Sequence, residues 1–503
     1  MEKDNKTNTH NPDKKVCEFD SLDDLFSDVS FFLGNTQDFI RRSISYDDGE
    51  AVCMYIQNLL NSNKLEQAIE WFQRSMWAVG DVTHTVNFKY VSETETINDI
   101  GLRIIKAEAL LWAKKDGKWL GVSIECPVEH YRAIEEPKNE QIVRGSHAGF
   151  NESLFTNIHQ VRTKLRTKHL VVRYLTIGKE SNTSCVIMYL DNVANQMNVE
   201  EYIMRVQAIE SDMAFSIGYM EEFIEDDSWS PFPQFLNTER PDRVVANLSE
   251  GRIALMMEGS PTALLAPVNF FSFYQSPDDF NGRFLVGSFY RLLRLGSFLI
   301  ALLLPALYIA IISFHFEIIP NDLSLPAKRA VEGIPYVPLL EALVLELTIE
   351  LIREAGIRLP NPIGQTIGIV GGLVIGDAVV NAGLISNLMI IVVALTAISS
   401  FVVPSVEMNT TVRILRFPFM VLASMFGLFG IAIGATLLTI HLIKLESLRS
   451  PYLSPLAPFH WKGAKDLFVR LPSWKQNTRS ADASPINKKR QGNSRWWTHE
   501  REK

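Results

Sequence analysis

Four glycines, Gly364, Gly368, Gly372 and Gly376, recur every fourth residue inside an apolar stretch, with Asp377 directly after the last and Asn381 one turn further on. On a helix this spacing makes one continuous stripe of small residues, which lets two backbones approach closely inside lipid. The stripe either packs against neighbouring spans of the same chain or faces another subunit or a pore. A carboxylate at the bilayer centre costs roughly 2.5–3.5 kcal/mol, so Asp377 faces protein or water unless it reaches the interface. Upstream, Glu346, Glu350 and Glu354 fall near one stripe of a second apolar segment, which also carries Glu341. Repeated around a symmetry axis, such residues form acidic rings that favour cations; on an interfacial helix they are simply the wet face. Val370, Val374 and Ile375 are candidates for a narrow apolar constriction that closes such a path by dewetting.

Bond-making chemistry finds no comparable foothold. The chain has no Gly-x-x-x-x-Gly-Lys-Ser/Thr loop, no Gly-x-Ser-x-Gly turn and no His-Glu-x-x-His helix, so no enzyme activity, metal or cofactor is expected. Its 10 histidines are dispersed. His159 and His169 lie among Arg162, Lys164, Arg166, Lys168 and Arg173, either as a solvated charged face or as a site for an anionic partner. Cys17, Cys53, Cys126 and Cys185 show no Cys-x-x-Cys pairing and read as reduced structural thiols.

The elements that position these residues divide by composition. The net charge of -8 conceals a tail from Lys444 onward with 13 Lys+Arg against 5 Asp+Glu, a local +8 that suits an anionic membrane leaflet better than nucleic acid. No secretory signal opens the chain, so the N-terminal part is expected in the cytosol. The expected fold is a multi-domain chain: tandem cytosolic α/β subdomains, then an α-helical transmembrane domain of about four spans plus one re-entrant or interfacial helix. Residues 1–20 are expected to be disordered, 21–136 and 151–290 to be the subdomains, and 137–150 the linker. The transmembrane domain is expected at 291–445, with spans near 297–319, 363–382, 384–404 and 414–443 and the short helix at 339–354. A basic cytosolic tail follows at 446–503.

Within the subdomains, helical periodicity predicts helices over Tyr46 to Trp77 and Val199 to Phe223. Runs around Asp116-Gly117 and Gly259-Ser260-Pro261 predict hairpins, and Leu170 to Ile177 and Cys185 to Leu190 predict strands. Three prolines argue against a regular element over Ser228 to Asp242. Arg291 and Arg294 before the first span and the basic tail after the last place both ends in the cytosol, with loops around Leu323–Val337 and Glu407–Arg413 outside.

Several stretches resemble the A-subunits of the GerA family of spore germination receptors, a group close to stage V sporulation protein AF. They are Val143-Arg144-Gly145 with Gly149-Phe150 and Glu152, Ser230-Pro231-Phe232-Pro233-Gln234, Thr238 to Arg243, Phe270 to Asp279 and Arg291-Leu292-Leu293-Arg294. In the apolar region they are Leu302 to Tyr308, Arg353 to Gly356, Pro362 to Gly376 and Ile414 to Pro418, with Tyr452-Leu453-Ser454-Pro455 after it. The resemblance implies a nutrient-sensing subunit in the endospore inner membrane, in contact with membrane lipids and without nucleic acid. It implies two partners, a transporter-like germinant-binding B-subunit and a lipoprotein C-subunit. It further implies a homo-oligomer, a pentamer, forming a germinant-gated cation channel. Ser146-His147 stands where the family more often has Pro-Arg, and the first ~130 residues match weakly. Two other readings stay open: a non-conducting scaffold that clusters receptor subunits, and a secondary transporter, which the lack of a detectable repeat disfavours.

Overall fold

The computed structural model describes residues 12–19, 21–44, 51–75, 88–92, 94–115, 118–128, 136–137, 139–359, 378–379, 381–459, 463, 467–492 and 495. The glycine stripe, Asp377, Val370, Val374 and Ile375 lie outside them, as does the Asp116-Gly117 turn.

The first subdomain holds five antiparallel strands, β1 (Phe39–Ile44), β2 (Ala51–Ile56), β3 (Phe88–Val91), β4 (Glu108–Lys115) and β5 (Lys118–Glu125), ordered β1-β2-β4-β5-β3. Helices α1 (Leu22–Phe32) and α3 (Ile97–Ile105) cover one face and α2 (Ser62–Ser75) the other. Thr96 starts α3 in a reciprocal capping box with Asp99, which satisfies two end amides. The predicted helix over Tyr46 to Trp77 divides: Met54 and Ile56 lie in β2, and α2 begins only at Ser62. Ala51 to Ile56 is a contiguous apolar run because β2 sits between two strands with helices on both faces, a pattern that imitates a buried helix.

The second subdomain repeats this plan. Strands β6 (Leu170–Ile177), β7 (Thr183–Leu190), β8 (Leu236–Thr238), β9 (Ile253–Met257) and β10 (Ala263–Ala266) form an antiparallel sheet ordered β6-β7-β9-β10-β8. Helices α4 (Leu154–Lys164) and α7 (Pro241–Ser249) pack on one face, α5 (Gln196–Gln207) and α6 (Ile217–Ile224) on the other. The helix predicted from Val199 to Phe223 is therefore two, the second restarted by Ser216, whose hydroxyl caps Tyr219. The proline-rich stretch carries β8 and the start of α7, because Pro241 occupies the first helical position, where no amide partner is needed.

Beyond α8 (Asp278–Asn281) the chain forms a helical bundle: α9 (Phe284–Phe314), α10 (Asn321–Glu332), α11 (Pro338–Arg358), α12 (Asn387–Phe401), α13 (Val406–Phe426) and α14 (Leu428–Lys444). Helix α9, with 31 residues and an 18-residue stretch of mean hydropathy 2.5, is the one described helix long and apolar enough to cross a membrane by length and composition; α12 and α14 are shorter apolar helices. It starts at Phe284 rather than near 297, so Arg291 and Arg294 lie inside it. Helix α11 has 21 residues, ~31 Å at 1.5 Å per residue, longer than the short helix expected at 339–354. The long span expected at 414–443 is two helices. Gly427 separates them at φ +61°, a conformation that glycine adopts without a Cβ penalty.

The segment after α14 folds back onto the second subdomain instead of trailing as a basic tail. Strands β11 (Glu446–Ser447) and β12 (Ser450–Pro451) form a small hairpin, Leu448 enters the sheet's core, and Tyr452 is fully buried. Asp482 reaches Arg252 at 2.6 Å and the Asn269 amide at 2.9 Å.

Candidate functional site

Two clusters connect the sheets to the helices. The first is built on Ser230 to Gln234, a loop held in shape by Gln234. Its carbonyl accepts the Asp226 and Asp227 amides at 2.8 and 2.9 Å, and its NH2 donates to the Asp227 carbonyl at 2.7 Å. Thus fixed, the loop offers one group to each neighbouring element. Ser230 hydrogen-bonds His441 Nε2 of α14 at 2.8 Å. The Pro231 carbonyl accepts from Thr411 of α13, and the Pro233 carbonyl accepts the Tyr452 hydroxyl at 2.8 Å. The Phe232 ring packs among His441, Phe270 and Tyr452. One apolar core runs from the α4/α7 face of the sheet through Phe270 and Phe273 into the bundle.

Glu221 of α6 and Glu225, the residue just after it, belong to this joint. Burial, reinforced by the Glu407 and Glu225 charges, pushes the Glu221 carboxyl up to about 9. Burial, then the charges of Glu407 and Glu222, pushes Glu225 up to about 7. Nearby, Arg294 donates to the fully buried Asp279 at 2.7 Å and Arg291 lies 3.5 Å from it, so the arginines read as membrane-flanking charges instead anchor α9 to the Phe270 to Asp279 segment. Arg240 donates to the Glu140 and Ser146 carbonyls at 3.2 and 2.8 Å and thereby fixes the linker.

The second cluster lies between bundle helices. Glu346, Glu350 and Arg353 share a face of α11 at i, i+4 and i+7 spacing, opposite Arg413 and Arg416 of α13. Arg416 pairs with Glu346, both essentially unexposed. Arg413 Nε meets Glu350 at 3.0 Å, Arg416 Nη2 lies 3.5 Å from Glu350, and Arg353 reaches Ser400 of α12 at 3.3 Å. Expected on a stripe facing a lumen or water, Glu346 and Glu350 instead face arginines of their own chain, because a buried carboxylate is tolerable only when paired. Glu354 does remain exposed, paired with Arg358. His159 and Arg162 likewise leave the expected charged face: His159 Nδ1 lies 2.6 Å from the Asn58 carbonyl, and Arg162 donates to Asp38 at 2.6 Å in the seam between the subdomains.

The helix directions follow from these contacts. Thr411 of α13 and His441 of α14 both touch the Ser230 loop, while Gly427 between them lies against Phe314 and His315 at the opposite end of α9. Helices α13 and α14 are thus an outward and a returning limb. Glu407–Arg413, expected as an outer loop, begins the outward limb at the sheet end. At the far end Tyr308 of α9 hydrogen-bonds Ser386 at 3.0 Å, and Glu341 accepts the Ser386 amide at 3.0 Å. Helices α11 and α12 therefore both run from the far end toward the sheets. Sequence reasoning missed Arg413 and Arg416, although two arginines at i, i+3 beside an apolar run signal a buried partner.

The chain matches the family described as Bacillus/Clostridium GerA spore germination protein over residues 28–481. It is 38% identical over 451 residues to the uncharacterized membrane protein YfkQ of Bacillus subtilis (strain 168), covering 88% of each chain. It is 40% identical over 387 residues to spore germination protein GerLA of Bacillus cereus, covering 77% of this chain and 78% of that one. Among solved structures, the N-terminal domain of the A subunit of the Bacillus megaterium spore germinant receptor GerK3 aligns at 24% identity and a TM-score of 0.38, over 51% of this chain and 98% of that one. Because the family match takes in both sheets, the Ser230 joint and every described bundle helix, the chain belongs to the GerA family of spore germination proteins.

Proposed function

We propose that this chain is the A-subunit of a nutrient germinant receptor in the spore inner membrane. It acts without catalysing a reaction, beside a transporter-like B-subunit that binds germinant and a lipoprotein C-subunit. Several copies, five by family resemblance, surround a germinant-gated cation path. The observation that carries this reading is 38–40% identity, over 77–90% of this chain, to proteins named for spore germination. The Ser230 joint suits the role, since one loop grips both limbs of the α13/α14 hairpin and so ties the sheets to the bundle.

This reading calls for an even number of crossings. Helix α9 leaves the sheet end, α11 and α12 run back toward it, and α13 and α14 form an outgoing and a returning pair. An even count is required because the segment after α14 packs on the subdomain that precedes α9. With Glu346 and Glu350 committed to arginines, the path falls to the glycine stripe at Gly364, Gly368, Gly372 and Gly376, with Asp377 as its acid and Val370 or Val374 as its closure.

The test is potassium efflux from liposomes carrying the purified receptor, with germinant added outside. Wild type should release potassium only on stimulation, and Val374→Ala should leak without it. A receptor that supports germination in spores yet moves no ions in liposomes replaces the channel reading with the scaffold.

A further inference from the structure

At the far end of the bundle, the first half of α11 and the described residues just before α12 line a cleft of about 310 Å³. This is the low end of the size range of small-molecule sites. Its wall is mostly apolar, formed by Leu340, Val344, Leu345, Val379, Leu384 and Ile385, with the hydroxyl-bearing Tyr336 and Thr348 at its edge. One charged group interrupts the wall. Glu341 lines the cleft at 1% exposure; one carboxylate oxygen accepts the Ser386 amide at 3.0 Å, and the other has no hydrogen-bond partner among the described residues. A buried carboxylate oxygen left unpaired costs about 1–3 kcal/mol or more, and a donor brought by a ligand recovers that cost.

We propose that this cleft binds a small organic cation, an aliphatic ammonium group carried on an unbranched or lightly branched apolar body. The ammonium meets the open oxygen of Glu341 and the hydrocarbon fills the apolar wall. A zwitterionic amino acid is disfavoured, because its own carboxylate would enter an apolar cleft that already holds a carboxylate. The site lies at the end of the bundle opposite the sheets. With the sheets in the cytosol, as the topology reading expects, this end faces away from it, where an incoming small molecule arrives. Binding itself does not depend on that orientation.

The experiment uses the full chain purified in detergent, with hexylammonium as probe and hexanol and hexanoate as comparators, read by calorimetric titration and thermal shift. Hexylammonium should bind roughly tenfold or more tighter than hexanol, the worth of one charge-assisted hydrogen bond, and hexanoate should not bind. Glu341→Gln keeps an acceptor for the Ser386 amide and should erase the preference for amine over alcohol. Val344→Phe leaves Glu341 in place but fills the cleft, and should weaken amine and alcohol alike. Equal binding of amine and alcohol to wild type would overturn the proposal. So would amine binding that survives both substitutions, or no binding at all, as when lipid or a second copy of the chain already covers the cleft.

Discussion

The two α/β subdomains share one plan. In each, a helix precedes two strands, the sheet runs first-second-fourth-fifth-third, and the first and last helices of the set share a face. What differs is how each is attached. The first docks on the free edge of the second sheet: the Gln37 amide donates to the Val172 carbonyl at 3.1 Å, and Val172 donates back to the Thr36 hydroxyl at 3.0 Å. Around this seam lie buried polar groups, with Arg162 on Asp38 and Thr36, and Asn58 on the Tyr174 hydroxyl at 2.8 Å. The second subdomain shares a continuous apolar core with α9, α13 and the segment after α14. A polar seam holds one geometry and water can replace its bonds once it parts, whereas a shared core must be exposed wholesale to separate. Duplicating the plan thus yields one subdomain joined through polar contacts and one that shares its core with the helices.

The comparison breaks most visibly at Tyr452. Its ring is fully buried among Phe232, Phe270 and Phe273, and its hydroxyl donates to Pro233. Tyr452→Ala should cost about 3–5 kcal/mol, as large aromatic truncations do. Hydrogen exchange on the detergent-purified chain should show faster opening of β8 to β10 and of α13, with β1 to β5 unchanged. Equal loss in both sheets would mean that they form one cooperative unit. Next in size is the seam. Arg162→Ala strands the Asp38 carboxylate and should cost about 3 kcal/mol, the lower end for a broken buried pair, because water enters a seam more easily than a core. Proteolysis should then release the first subdomain while the second stays joined to the bundle. A paired Asp38→Leu, Arg162→Met change should restore much of the loss, since it leaves no unpaired charge.

Much of this plan was legible in sequence, and the misses share a cause. Strands β6, β7, β9 and β10 were readable because turn residues bracket their apolar runs. The bundle was visible as hydropathy, and Glu346 and Glu350 stood out as acids within it. What failed were inferences that need a partner distant in sequence. Arg416 lies 70 residues from Glu346, and Arg162 lies 124 from Asp38, so neither pairing leaves a local trace. The break at Gly427 was hidden because hydrophobicity continues unbroken across it. The folded segment after α14 was masked by its net charge, although Leu448, Tyr452 and Leu453 were there to be buried. The repeat itself was invisible, since topology survives where the residues that form it do not match.

The smallest effect expected is also the most selective, because it turns on protons. Glu221 is held near 9 and Glu225 near 7, against an ordinary 4.5, mainly by burial. A carboxyl with a raised value in the folded state keeps its proton when the unfolded chain has lost it. The folded state therefore binds more protons between the two values, and stability falls as pH rises from about 4.5 toward 9, by at most about 1.4 kcal/mol per unit for each group. Below 4.5 both states are protonated and the effect vanishes. Glu221→Gln mimics the protonated group and should remove its share of the slope, a gain on the order of 1 kcal/mol at neutral pH after discounting for solvent near the joint. Melting curves at pH 4, 6 and 8 should converge at pH 4 and separate upward, with the variant the more stable at pH 8. Hydrogen exchange should confine the difference to the second subdomain and the Ser230 joint, since α6 packs on that sheet and faces Glu407 of α13. A wild-type slope that persists in the variant would show that other groups carry the pH dependence, and a slope shared by β1 to β5 would show that the polar seam transmits it.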